Sequence, residues 1–250
     1  MDFLFSKEIT PDYQNEKVKL FNQDCLDILP CIPDNSIDLI VVDTPYHITK
    51  GGGGITKDGK KYCGGMIGHY GTDTENARKG KLFEYNNIEF KEWLPQAFRI
   101  LKENTHCYVF INARNLLTLW QCAKEVGFKF QQLLVWDKGN STPTQYYMNS
   151  YELILMLRKG RAKYIHNLGT SNILRIPNIL RIKQHPTQKP ISLLQILIEN
   201  SSNVKDIVLD MFMGSGSTGV SCLQSDRNFI GCEIDQKYFK IAQDRITNKL

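Results

Sequence analysis

Two short apolar runs in this chain each end in an aspartate followed at once by turn chemistry, and that pattern restricts the fold more than any other feature. Ile37-Asp38-Leu39-Ile40-Val41-Val42 leads into Asp43-Thr44-Pro45-Tyr46. Asp206-Ile207-Val208-Leu209 leads into Asp210-Met211-Phe212-Met213-Gly214-Ser215-Gly216-Ser217-Thr218. Runs of this length and β-branched content suit the interior of a parallel sheet. In open α/β sheets small molecules are received outside the carboxyl ends of the strands. The first tip offers a carboxylate, a backbone carbonyl and an aromatic ring. The second offers a glycine turn that opens into a helix through Gly219 and Val220, where backbone can approach a ligand closely.

Between and around these tips the pattern alternates strand and helix. Strands are expected at 18–21, 106–111, 130–136, 152–157 and 229–232 in addition to the two above, which makes seven. The 130–136 and 152–157 strands form an antiparallel pair at the sheet edge. Apolar residues Phe90, Trp93, Leu94, Ala97, Phe98 and Leu101 recur at helical spacing and predict a helix over 90–103. Further helices are expected over 113–126, stopped by Gly127, over 191–200 with Pro190 in its first turn, and over 236–249. This is a doubly wound α/β pattern. Joining the last helix in space to the strand at 18–21 gives an open sheet whose two aspartate tips lie close together, although they are far apart in the chain.

A chain of 250 residues with 42% apolar content can bury about 70 to 75% of its unfolded surface, enough for a single catalytic domain spanning 1–250. No apolar run approaches the roughly 20 residues that span a bilayer, and no signal peptide opens the sequence. A soluble, cytoplasmic protein is expected. The seven cysteines, Cys25, Cys31, Cys63, Cys107, Cys122, Cys222 and Cys232, include no CxxC pair, so neither a zinc site nor a disulfide framework is indicated.

Charge is unevenly spread. Residues 153–198 contain no acid but eight basic residues, Arg158, Lys159, Arg161, Lys163, Arg175, Arg181, Lys183 and Lys189, and residues 47–81 carry a net +4. The whole chain is only +5, which leaves the remainder at −7. Such concentration favours a polyanionic partner when it flanks a ligand site, although alone it is equally a solvated surface. Residues 47–87 are glycine-rich without apolar period and read as a long mobile substrate loop. Residues 161–184 read as a basic extended segment containing the echo Asn172-Ile173-Leu174-Arg175-Ile176 and Asn178-Ile179-Leu180-Arg181-Ile182.

Together with His185-Pro186-Thr187-Gln188-Lys189-Pro190, the two aspartate motifs resemble the amino-methylating DNA methyltransferases that use S-adenosylmethionine, in particular their permuted β class. There the catalytic motif precedes the cofactor motif. The resemblance spans about 22–246 and implies a Rossmann-like seven-stranded methyltransferase sheet, circularly permuted, acting on double-stranded DNA. It implies catalytic roles for Asp43, Thr44, Pro45 and Tyr46. Asp210, Phe212, Gly214, Ser215, Gly216 and Thr218 would form the cofactor turn, with Glu233 at the ribose hydroxyls. Asp24 and Cys25 would border the cofactor adenine, and His185, Thr187 and Lys189 would lie at its other end, with Thr187 and Lys189 at its carboxylate. The acidic first residue, Asp43, resembles the adenine N6 enzymes rather than the cytosine N4 enzymes, in which serine is usual. One position departs from the family pattern: Thr44 stands where proline is usual, keeping the carbonyl but losing the stiffening ring.

The chemistry needs no covalent intermediate. An exocyclic amine on a nucleobase is a poor nucleophile because its lone pair is delocalised into the ring. Acceptors at Asp43 and the Thr44 carbonyl favour a tetrahedral nitrogen, after the base has left the duplex and stacked on Tyr46. Residues 161–184 would read the target sequence, with 47–87 or a second subunit assisting. Tyr146, Tyr147 and Tyr151 are candidates to line the pocket. Alternatives are a cytosine N4 or RNA methyltransferase, a catalytically silent nucleic-acid binder and, remotely, a nicotinamide oxidoreductase. A homodimer and a cognate restriction endonuclease are open partners, and no metal is expected.

Overall fold

The computed structural model describes residues 5, 9–45, 53–55, 61–63, 88–142, 147–179 and 188–248, with backbone alone at 53–55, 61–63 and 142. Its centre is a mixed sheet of nine strands: β1 (Tyr13–Gln14), β2 (Val18–Phe21), β3 (Ile37–Asp43), β6 (Leu101–Ile111), β7 (Lys129–Thr142), β8 (Asn149–Arg158), β9 (Ile173–Arg175), β10 (Ile207–Asp210) and β11 (Asn228–Cys232). In space they run β1-β2-β11-β10-β3-β6-β8-β7-β9. A separate antiparallel pair, β4 (Gly53–Ile55) and β5 (Lys61–Cys63), lies inside 47–87, the segment read as a long mobile substrate loop.

The five strands from β2 to β6 are parallel to one another, and β8 is antiparallel to β6. β7 is antiparallel to β8 and parallel to β9. The expected antiparallel pair is therefore present, but it is not at the edge. β9, from the basic extended segment, covers β7 and takes that place. With β1 added at the other side, nine strands replace the expected seven. Both extra strands are too short to carry an alternating pattern of their own.

Helices cover both faces. α1 (Cys25–Ile28), α2 (Phe90–Ile100) and α3 (Leu116–Val126) pack on one; α4 (Ile191–Ser201), α5 (Ser217–Gln224) and α6 (Gln236–Thr247) pack on the other. The pleat divides β3 between them: Ile40 and Val42 join the first core, while Leu39 and Val41 join the second. A strand buried on both faces must be apolar throughout, which is why this run shows no polar alternation. Asp38 is the exception, and it works at the amino end: its carboxylate accepts from Lys102 Nζ at 2.6 Å and from the Ile207 amide at 3.0 Å.

Two helices differ from their sequence expectation for identifiable reasons. α2 stops at Ile100 rather than 103, because Leu101 turns extended and pairs with Ile37 of β3. Leu101 is buried in either conformation, so its apolarity does not distinguish helix from strand. Lys159 Nζ secures this end, donating to the carbonyls of Phe98 and Leu101 at 2.8 Å each. α3 begins at Leu116, after a turn at 113–115, and ends as expected at Gly127, whose φ of 114° lets its amide reach back to the Lys124 carbonyl.

The six cysteines with described side chains are unbridged, and five of them are buried. No described helix is long and apolar enough to cross a membrane, and no described cluster of three or more His, Cys, Asp or Glu residues is arranged to hold a metal.

Candidate active site

Parallel pairing of β10 with β3, Val208 opposite Leu39 and Leu209 opposite Ile40, sets Asp210 and Asp43 at the same end of adjacent strands. Alternation places them on one face too. Asp43 is two residues beyond Val41 and Asp210 two beyond Val208, and both of those residues belong to the α4–α6 core.

The Asp210 tip is built locally. One oxygen accepts from the Phe212 amide at 3.0 Å and the other from Thr218 Oγ1 at 2.6 Å, so the carboxylate closes its own turn. Asp210 is buried, and burial raises it to about pKa 7 despite these two hydrogen bonds, with Asp43 and Glu233 adding repulsion. Gly214 donates its amide to Glu233 Oε2 at 2.9 Å, while Glu233 Oε1 accepts from the Asp235 amide at 2.9 Å. Burial raises Glu233 to about 7 as well. Asn22 ties the neighbouring tip of β2 to this one by donating to the Glu233 carbonyl at 2.8 Å.

Not every residue of the glycine turn faces the ligand side. Gly216 has φ 76°, and a Cβ on it would stand 2.9 Å from the Ala242 Cβ. A Cβ on Gly219 would stand 2.6 Å from Ile246 Cδ1. These two glycines let the turn and α5 pack against α6. For Gly219, expected to admit the cofactor, this packing is the requirement the structure shows. Ser215 is buried and its hydroxyl accepts from Arg245 Nη1 at 2.8 Å, again towards α6. Phe212 packs edge-on against Trp93, ring centroids 5.8 Å apart. Asp24 caps α1 by accepting from the Leu26 amide at 2.9 Å, and Cys25 is buried with its thiol pushed well up by that burial.

The Asp43 tip is assembled from distant parts of the chain. Its Oδ2 accepts from Lys189 Nζ at 2.5 Å, and Lys189 also reaches Glu152 Oε2 at 3.2 Å. Glu152 Oε1 accepts from Lys138 Nζ at 3.0 Å. The Lys189 ammonium lies over the Phe110 ring, 5.0 Å from its centroid. Burial raises Asp43 above the usual carboxylate range, opposed by Lys189 and assisted by Glu152. Desolvation would raise the half-buried Glu152, but Lys189 and Lys138 outweigh that and hold it at about 2. Lys189 was expected at the cofactor carboxylate; the structure sets it against Asp43. Glu152 and Lys138 went unrecognised in the sequence, where the available signal was an acid and a lysine beside apolar strands.

Thr44 is buried, and its hydroxyl has no hydrogen-bond partner among the described residues. Pro45 follows, partly exposed. Tyr46, His185 and Thr187 lie outside the described residues, as do His47, His69 and Tyr146. Tyr147 and Tyr151 are exposed at the end of the β7–β8 hairpin. That hairpin projects past Glu152 on the Asp43 side of the sheet, since Asp43, Phe110 and Ile154 lie in one cross-strand row.

An open α/β sheet with an acidic tip beside a glycine turn belongs to the architectures that receive small molecules at the carboxyl ends of their strands. Comparison narrows the class: a family model described as DNA methylase, of the N6/N4 type, matches residues 37–178 and 166–244, and the chain belongs to that family. Among curated relatives, the type II methyltransferase M.HinfI of Haemophilus influenzae is 30% identical over 263 residues, covering 96% of this chain and 70% of the relative. M2.MboI of Moraxella bovis is 28% identical over 260 residues, covering 95% and 91%. Among solved structures, the M1.HpyAVI–SAM complex aligns with a TM-score of 0.66 at 25% identity, covering 91% of this chain and 99% of that one. The cytosine-N4-specific PvuII DNA methyltransferase aligns with a TM-score of 0.70 at 18% identity, covering 96% and 93%, and shares the fold.

Proposed function

We propose that this protein methylates the exocyclic N6 of adenine at a specific duplex DNA sequence, with the target base flipped out of the helix. The observation that carries the reading is the adjacency of two strand tips on one sheet face, the Asp43 carboxylate on β3 and the Asp210–Gly216 turn on β10. The cofactor is S-adenosylmethionine, supported by family membership and by the M1.HpyAVI–SAM complex. When bound, it supplies an electrophilic methyl on a sulfonium.

The residues present fit such a group. Asp43, Asp210 and Glu233 are carboxyls raised by burial, and Asp43 and Glu233 both act on Asp210. A ligand carrying positive charge relieves that repulsion and favours their ionised forms. Glu233, fixed by two backbone amides, is suited to a ribose diol, and Asp24 and Cys25 border the same end of the sheet.

Asp43 and the Thr44 carbonyl would accept from the two hydrogens of the target amine, turning its lone pair out of conjugation and towards the cofactor side. Tyr46 would stack on the base, returning about 1 to 3 kcal/mol of the cost of flipping. After transfer, Asp43 or water takes the surplus proton. The permuted β-class assignment is supported by motif order and by β2 pairing with β11, which carries the amino-terminal strand to the last strand. Residues 47–87 and 161–184 are proposed to contact DNA, a homodimer and a cognate endonuclease being the associated partners.

The test is incubation of unmodified DNA with methyl-labelled cofactor, followed by nucleoside mass spectrometry. N6-methyladenine is expected in wild type and absent in Asp43→Ala. N4-methylcytosine would identify the alternative target, and label in RNA alone, or in no nucleic acid, would overturn the assignment.

A further inference from the structure

Resting on the reading of Asp43 as the acceptor for the target amine, we propose that Glu152 and Lys138 are positioning residues that hold Asp43 through Lys189, as a partly buried four-charge chain running across three strands. The pleat puts the chain in register. Asp43 is opposite Phe110, and Phe110 is opposite Ile154. Glu152 is two residues from Ile154 and therefore on the same face, opposite Trp136 of β7, whose second neighbour along the strand is Lys138. Lys189 closes the row from above the sheet, just before α4.

The two ammoniums are largely removed from water and the two carboxylates only partly so. The Lys189 and Lys138 side chains are 8% and 12% exposed, and those of Asp43 and Glu152 are 23% and 27% exposed. Two carboxylates and two ammoniums make it neutral overall. A partly buried ionic chain of this kind is weak evidence for stability, and stability alone does not account for these four charges. Position does. Lys189 alone would form a closed pair with Asp43 and quench its charge. Glu152 competes for the same ammonium, which leaves Asp43 oriented yet still able to accept from a further donor.

Glu152 is fixed in turn by Lys138, whose ammonium lies 5.8 Å from the Trp136 ring centroid. The charged groups acting on Asp43 are Lys189 before α4, Glu152 on β8 and Lys138 on β7, and Asp43 is itself felt by Asp210 on β10. Of these, Glu152 acts as an anion and Lys138 as a cation, so removing them must push Asp43 in opposite directions. Those signs follow from charge alone; what a positioning role adds is a loss of kcat with little change in KM.

The experiment follows the Asp43 carboxyl carbon by NMR in isotopically labelled full-length protein, for wild type, Glu152→Gln, Lys138→Met and Lys138→Arg. In parallel, the pH profile of kcat is measured with labelled cofactor and duplex DNA. Glu152→Gln is expected to move the Asp43 midpoint to lower pH and Lys138→Met to higher pH, while Lys138→Arg restores the wild-type position. The acid limb of the kcat profile should move in the same order. Glu152→Gln should lower kcat at least about tenfold while KM for the cofactor stays within about threefold. Midpoints that do not move, or that move the same way in both charge-removing variants, overturn the proposal, as does lost activity that only tracks lost thermal stability. If Glu152→Gln does not fold, the two Lys138 variants decide by the same titration. A wild type that methylates no DNA defeats the functional reading, while the titration still decides the coupling.

Discussion

The two aspartates at neighbouring strand tips are held in opposite ways. Asp210 is satisfied by residues two and eight positions further along the chain, the Phe212 amide and the Thr218 hydroxyl. Asp43 is held by Lys189, 146 residues away in sequence, and through it by Glu152 and Lys138. The Asp210 carboxylate is satisfied once its own segment folds, although Glu233 and Arg245 hold the rest of that turn from further along the chain. A tip held by distant charges is complete only when the whole sheet is. Under the proposed function the difference would suit two tasks: the turn as a cradle for the cofactor, and the acid tip as a carboxylate whose charge is tuned from outside its own strand.

This contrast can be broken most severely at Asp43. Asp43→Ala should reduce methyl transfer on the order of 1,000-fold, while cofactor affinity measured by calorimetry changes less than about threefold. Equal loss of both would show that the tips do not divide the work. On the cradle side, Gly219→Ala should lower unfolding free energy by about 1 to 3 kcal/mol in denaturant titration, because its new methyl meets Ile246 and Phe229. Thr218→Val should cost about 1 to 2 kcal/mol, since it leaves a buried Asp210 oxygen without its donor. A loss near zero would mean the turn does not depend on its own hydrogen bonds.

A smaller effect sharpens the comparison through pH. Asp210 and Glu233 are both raised to about 7 by burial. For a raised carboxyl the folded state prefers the proton, so the stability it contributes is complete below the ordinary carboxylate range and is lost as pH rises through about 7. Cofactor-free protein should therefore lose Tm across that interval, and Asp210→Asn should flatten the loss. Glu152 has the opposite sign: lowered to about 2, it contributes above its ordinary range and loses that contribution only as pH falls towards 2. Tm that rises between the ordinary carboxylate range and neutrality would contradict the assignment for the cradle.

The same division explains what the sequence made legible. Strand, aspartate, turn and helix are consecutive at 206–224, so their order could be read from spacing, while a cofactor role for them came from the family resemblance. The β3 run was equally plain, because burial on both faces leaves only Asp38 polar between Ile37 and Val42. What holds Asp43 was not legible, since Glu152 and Lys138 reach it only through the pairing of β6, β8 and β7. Nor was β9, three residues long, which makes the outer edge only because Asp137 and its neighbours pair with it. The basic segment also misled in part. Of the eight cations in 153–198, Lys159 and Lys189 are buried and bonded internally, so a sequence count overstates the charge available to a polyanion. Helix α2 was drawn three residues too long for a related reason: apolar spacing reports burial, and a strand can supply that as well as a helix.

The most direct test of the paired tips is a crystal structure with the demethylated cofactor bound. The account predicts its sulfur at the carboxyl ends of β3 and β10, between the Asp43 carboxyl and the turn from Asp210 to Gly216, with Glu233 on the ribose. A sulfur on the far side of the turn from Asp43, or a ligand seated at the opposite end of the sheet, would contradict it.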